Sequence, residues 1–473
     1  MTVEESPLVQ MIDAARQLAG DGADEPAKRA YLDVLRRDPT SLPALLDLAR
    51  LALRTGHRTA AMTAYQQAIF CHPEDPVARV NLANLLIESG EFEAARDHFA
   101  AALAGQHQLA AAHQGMARVL TALGDPDAAA LHWRSALADG GFAPQPYGGA
   151  GQGIPVLLLV SVRGGNIPTR SLLDDTVFAV TALYAEHHDP ARPLPPHALI
   201  FNAIGDADLC SEALANAGHV GRRSSAPVIN PPELVSTTGR AAVAARLAGL
   251  ADIVAPAVSA VRREHLLTDA NLSFPRLFRS PGFHTGQHFV RVERREDLAA
   301  AITDLPGDEL LAIEPLDARG PDGQFRKYRA MLIKGAAYPL HLAISATWKV
   351  HYFSADMAKD EGHRTEEAAF LADMPETIGP RAMAALAAIA AELGLDYAGV
   401  DFAVAPDGRL VLFEANAGMV ISPPGPEAIW DYRRAPTQRA LAAVIALLLS
   451  KAAGQDAGVR TGADGEGQSI FPA

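Results

Sequence analysis

The chain is short of cysteine, of positive charge and of long apolar runs, and each shortage excludes something. It has 473 residues and only two cysteines, Cys71 and Cys210. That is too few for a disulfide framework and lacks metal-type spacing, so a reducing, cytoplasmic compartment is expected. The formal charge is −14, which argues against nucleic acid or an anionic membrane as partner. The longest apolar run, residues 440–449 (ALAAVIALLL), is half a membrane span and reads as a packed helix. The first residues, MTVEESPLVQMI, lack the charged-then-apolar order of a signal peptide. No Ser-His-Asp or Cys-His arrangement is evident, and no Cys or further His stands at zinc spacing from His341 and His351. What remains is 49% hydrophobic and 20% charged, the balance of a globular protein with room for about three domains.

The N-terminal third repeats itself. Gly22, Gly56, Gly90 and Gly124 are 34 residues apart, as are Tyr31, Tyr65, Phe99 and Trp133, and Ala27, Ala61, Ala95 and Ala129 keep the register. Small Ala lets two helices approach, the aromatic fills the gap beside it, and Gly ends the first helix of each pair. This pattern resembles the tetratricopeptide repeat. The resemblance covers roughly 8–140 and implies an all-α solenoid of about four repeats over 1–140, with a concave face able to dock a peptide or protein. An assembly role, giving a homo-oligomer, is the other reading. Arg50, Asn81, Asn84 and His113 are residues for that groove or for a solvated face.

Residues 141–153 are rich in Gly and Pro and read as a linker. Ile154–Val162 is an apolar run of the kind found in buried parallel strands. After it, residues 174–186 read as a helix, 197–202 as a strand and 208–217 as a second helix, an α/β layer over 154–232. The Gly164-Gly165 loop lacks GxGxxG spacing; it is a turn or a substrate cradle.

The stretch 397–419, YAGVDFAVAPDGRLVLFEANAGM, carries the strongest chemical signal. Pro406-Asp407-Gly408 is turn chemistry between two strands. That turn makes Asp401 and Glu414 near cross-strand partners and puts Glu414 and Asn416 on one face. Three oxygen donors converging on one spot suit Mg²⁺, with Mn²⁺ as the substitute.

With these residues the chain resembles the ATP-grasp ligases over roughly 154–450. The resemblance implies a pre-ATP-grasp α/β domain at 154–232, a nucleotide-binding and catalytic α+β domain at 233–453, and a flexible tail at 454–473. It implies that Asp401, Glu414 and Asn416 hold metal ions under ATP. Arg240 and Arg279 stand where family members usually have Lys, and they are expected on phosphate. Gly282 and Gly286 belong to a loop over the triphosphate, and Glu314 and Leu316 to the adenine hinge. Arg329, then Arg326, are expected to face the transferred phosphoryl group. His341, Lys349, His351 and Asn166 are expected on the substrate side, with Asn202 beside them. The implied activity is ADP-forming: a carboxylate is activated as an acyl phosphate, and an amine or hydroxyl then displaces phosphate. A peptide or protein docked by the repeats is the leading substrate. A small-molecule ligase with repeats for assembly is second, and a non-catalytic scaffold with a retained nucleotide fold is third.

Overall fold

The computed structural model describes residues 6–283, 286–350, 355 and 357–454, and divides into two compact units at Gly140/Gly141. In the first unit eight described helices run in pairs: α1 (Pro7–Gly20), α2 (Asp24–Arg37), α3 (Leu42–Arg54), α4 (Arg58–Cys71), α5 (Pro76–Glu88), α6 (Phe92–Gly105), α7 (Ala110–Ala122) and α8 (Pro126–Ala136). Gly22, Gly56, Gly90 and Gly124 each follow the first helix of a pair with φ between 74° and 82°. That is a left-handed conformation in which any side chain is strained, so glycine sets the turn. The repeated Ala and aromatic positions are all buried, none more than 5% exposed.

The second unit opens with β1 (Phe142–Pro144), β2 (Ile154–Val160), β3 (Phe178–Tyr184), β4 (Leu199–Asn202), α9 (Ser211–Arg222) and β5 (Val228–Ile229). They form one sheet of order β1-β3-β2-β4-β5, parallel except for β1 against β3. Strand β1 lies in the stretch expected as a linker. The helix expected at 174–186 is not there: the segment is β3 and a short 3₁₀ turn at Ala185–His187. Its Phe178 and Val180 join one core cluster and Leu183 another. A strand covered on both faces shows no clean alternation and is easily misread. The second expected helix starts later, at Ser211.

Two short helices, α10 (Pro232–Val235) and α11 (Arg240–Leu247), lead to β6 (Ile253–Val254). An antiparallel sheet of order β7-β10-β8-β9 follows, built from β7 (Val258–Arg262), β8 (Arg276–Arg279), β9 (Phe289–Val292) and β10 (Glu309–Ile313). Small helices α12 (Arg263–Leu266) and α13 (Leu298–Ile302) close its own small core. The third sheet, of order β12-β11-β13-β14-β6, holds β11 (Phe325–Ile333), β12 (Ala336–Ser345), β13 (Tyr397–Val404) and β14 (Leu410–Asn416). Helices α14 (Glu361–Ala372), α15 (Met374–Leu393) and α16 (Asp431–Ala452) pack on it. The expected hairpin is present, with Gly408 at φ 83° in its turn. No described helix is long and apolar enough to cross a membrane.

Candidate functional site

The second unit contains a cavity of about 810 Å³ where its three sheets meet. The alternation of each strand decides what faces it. Along β11, Phe325, Lys327 and Arg329 line the cavity, as do Leu277 and Arg279 on β8 and Phe289 and Arg291 on β9. Asp401 of β13 and Glu414 of β14 are register partners, and Asn416 lies two residues further along β14. Gly165, Gly205 and Asp206, at the ends of the parallel strands, close one side. Gly205 is forced by proximity: a Cβ there would lie 2.5 Å from the Cα of Gly418.

Seven Lys or Arg and five Asp or Glu line the cavity, a positive excess inside a chain of charge −14. Asp401 is buried and grips two of those cations. Arg329 donates from Nε to Oδ1 at 2.6 Å and from a terminal nitrogen to Oδ2 at 2.8 Å, while Lys327 Nζ donates to Oδ2 at 3.0 Å. Burial alone would raise the Asp401 carboxyl, but Arg329 and Lys327 hold it well below the usual carboxylate range. Glu414 pairs with Arg240 at 3.0 Å, and Arg240 also meets Asp208 at 3.4 Å. Burial again opposes, and Arg240 and Arg279 keep Glu414 below its ordinary value. The Asn416 amide donates to Glu414 Oε1 at 2.9 Å and its oxygen accepts from Gly418 N at 2.8 Å. His341 lies opposite Arg329 on β12; burial first, then Arg329, lowers its pKa, so the ring is neutral at pH 7.

Most of the expected residues meet here: Arg240, Arg279, Gly286, Glu314, Leu316, Arg329, His341, Lys349, Asp401, Glu414, Asn416 and Asn166 all line the cavity. Several arrive with their atoms engaged. Both ends of the Asn166 amide bond the Ser161 backbone at 2.8 Å, so it is committed to shaping the loop. Asn202 is likewise spent on Asn230 O and Ile204 N. Glu314 accepts from Ala257 N at 3.0 Å, and Lys349 donates to Phe289 O at 3.1 Å.

Three expectations fall outside the lining: Asn202, Arg326 and Gly282. Arg326 sits at the opposite parity of β11 from Arg329, so it points away and pairs with Glu366 and Asp322. Gly282 is packed near Leu209. His351 lies outside the described residues, as does most of the expected tail. Sequence reasoning missed Lys327, although its position two before Arg329 on one strand face was the available signal. It also missed Arg433, buried against Glu367 at 3.2 Å, because that pair joins α16 to α14 across the fold.

The donor chemistry here is hard oxygen: two carboxylates in register and an amide. No described group of three or more His, Cys, Asp or Glu is arranged to hold a metal, so Asn416 is needed to complete the set. Oxygen donors of this kind are the type that a hard divalent cation takes.

A tetratricopeptide-repeat family model matches residues 57–139, and a second matches 26–76. Residues 26–139 are therefore tetratricopeptide repeats, a fold that commonly mediates protein or peptide docking. No curated protein matches the chain. Among solved structures, MamA is 22% identical, with 26% of this chain and 72% of that chain covered at a TM-score of 0.25. PilF of Pseudomonas aeruginosa is 19% identical over 28% and 60%, at 0.26. TTC0263, a thermophilic repeat protein of Thermus thermophilus, is 21% identical over 28% and 73%, at 0.25.

Proposed function

We propose that the second unit is an ATP-dependent ligase of the ATP-grasp type, which activates a carboxylate as an acyl phosphate and joins it to an amine or hydroxyl. The observation that carries the reading is the Asp401–Glu414 register pair, with Asn416 beside it, in the wall of a cation-rich cavity. The second and third sheets, which both line that cavity, support it, since one supplies Arg279 and the other Lys327 and Arg329.

Asp401, Glu414 and Asn416 would hold Mg²⁺ or Mn²⁺, which supplies neutralisation of phosphate oxygens. Arg240 and Arg279 bind the phosphate chain, and each is buried enough that its charge acts through little water. Arg329 presents a planar fork that matches two phosphoryl oxygens, and Lys327 adds a point charge beside it. The backbone near Glu314 and Leu316 receives the adenine. A carboxylate oxygen of the substrate attacks the γ-phosphorus, the bond to the leaving ADP oxygen breaks, and an acyl phosphate forms. The amine or hydroxyl then attacks its carbonyl carbon, phosphate departs, and the nucleophile's proton passes to solvent. Walls of Leu340, Trp348 and Trp430 keep water from the acyl phosphate.

The repeats direct this chemistry to a docked peptide or protein. The second reading, a small-molecule ligase with repeats used for assembly, is favoured by the cavity volume of about 810 Å³, which is in the range of small-ligand sites. Both cysteines are free thiols, in keeping with a cytoplasmic setting. The test is ADP release from Mg-ATP with candidate carboxylates and amines. Glu414→Gln is expected to lower that release by about 100-fold or more. An unchanged rate sinks the reading. Deleting residues 1–140 separates the substrates: turnover of a peptide is lost, whereas turnover of a small molecule persists.

A further inference from the structure

Six charged groups crowd one point of the cavity, and four of them are cations. Lys327 and Arg329 occupy both oxygens of Asp401, while Arg240 and the Asn416 amide occupy Glu414. Arg279 stands close enough to lower Glu414 further. The amide oxygen of Asn416 is taken by the Gly418 N–H. Both oxygens of Asp401, Oε1 of Glu414 and the amide oxygen of Asn416 are thus already engaged by the chain's own N–H groups.

We propose that this site admits its divalent cation only together with a polyphosphate, because Lys327 and Arg329 must leave Asp401 first and only an anion gives them a new partner. The inference rests on the ligase reading and deepens it by fixing how metal and nucleotide binding are coupled. A free dication approaching Asp401 meets two cations within hydrogen-bond distance of the same carboxylate, in a site where water screens little. Stripping a buried cation of its partner without replacement is strongly unfavourable. A polyphosphate removes both obstacles. Its oxygens accept the Arg329 fork and the Lys327 ammonium, and its own charge offsets the positive excess. Asp401 would then be free to hold the metal, whose charge would offset that of the phosphate. The exchange is reciprocal: metal and polyphosphate tighten one another by the same factor.

Calorimetry and Mn²⁺ electron paramagnetic resonance on the full chain test this, with Mn²⁺ alone, tripolyphosphate alone in EDTA, and both together. Correction is made for the Mn²⁺–tripolyphosphate complex in solution. Tripolyphosphate alone is expected to bind, and saturating it is expected to tighten Mn²⁺ by about 30-fold or more. Lys327→Met removes one competitor, so Mn²⁺ alone is expected to bind that variant roughly 10-fold tighter than the wild type. Wild-type chain that binds Mn²⁺ alone within about 3-fold of its affinity beside tripolyphosphate overturns the exchange and leaves the ligase reading standing. A chain that binds neither tripolyphosphate nor a non-hydrolysable ATP analogue, with or without Mn²⁺, overturns the ligase reading and the exchange with it.

Discussion

Single residues fix the cavity by what they exclude. Gly205 is the clearest case, since the backbone of Gly418 lies where its Cβ would be. Neither neighbour is the movable end of a side chain. Gly205→Ala is expected to cost about 2 kcal/mol through overpacking, read as a lower midpoint in denaturant unfolding. The two thiols give a second test. Burial pushes Cys210 up to about 11, and its Sγ is tucked against Gly164 O at 3.3 Å. Cys71 is half-buried on α4. A thiol reagent at pH 8 is expected to modify Cys71 alone in the native chain, and Cys210 only after unfolding. Rapid labelling of both thiols would contradict this burial.

Elements carry the next level. The last repeat departs from its predecessors at Gly115 in α7, where the earlier repeats have Asp47 and Asn81. A Cβ there would stand 2.0 Å from the ring of Phe99, the buried aromatic of the repeat before. Gly115→Ala is expected to destabilise the array by about 1–3 kcal/mol, seen by thermal melting of the helical signal. His113 of the same helix meets His132 of α8, with Nδ1 atoms 2.8 Å apart. Burial first, and His113 second, hold His132 below its ordinary value. Below about pH 6.5 the unfolded chain takes up a proton that the folded His132 refuses. Stability therefore falls as pH drops from 7 toward 5, by at most about 1.4 kcal/mol per pH unit for this group. His132→Gln is expected to flatten that slope; an unchanged slope removes His132 as its cause.

The whole molecule is two compact units, 1–140 and 141–473. Each has core clusters drawn from its own residues. Expressed separately, each is expected to melt cooperatively. The second unit alone is expected to bind a non-hydrolysable ATP analogue within about 3-fold of the full chain, since its cavity is lined only from Gly165 onward. A second unit that fails to fold alone would make the repeats part of its stability.

The sequence by itself determined what depends on neighbours at short or periodic range. The 34-residue period placed the buried Ala27, Ala61, Ala95 and Ala129 and the aromatic four residues after each, because each helix pair packs on the next in one register. The Pro-Asp-Gly turn brought Asp401 to within one residue of Glu414, and the bulge between Asp401 and Phe402 set the two in register. Tertiary structure alone decided the rest. Phe178–Tyr184 is a strand because β1 and β2 flank it. Arg326 and Arg329 part company because one face of β11 meets α14 residue Glu366 and the other meets β13 residue Asp401. In each case the deciding partner comes from another segment, and a strand buried on both sides does not announce in its own residues which neighbour it will take.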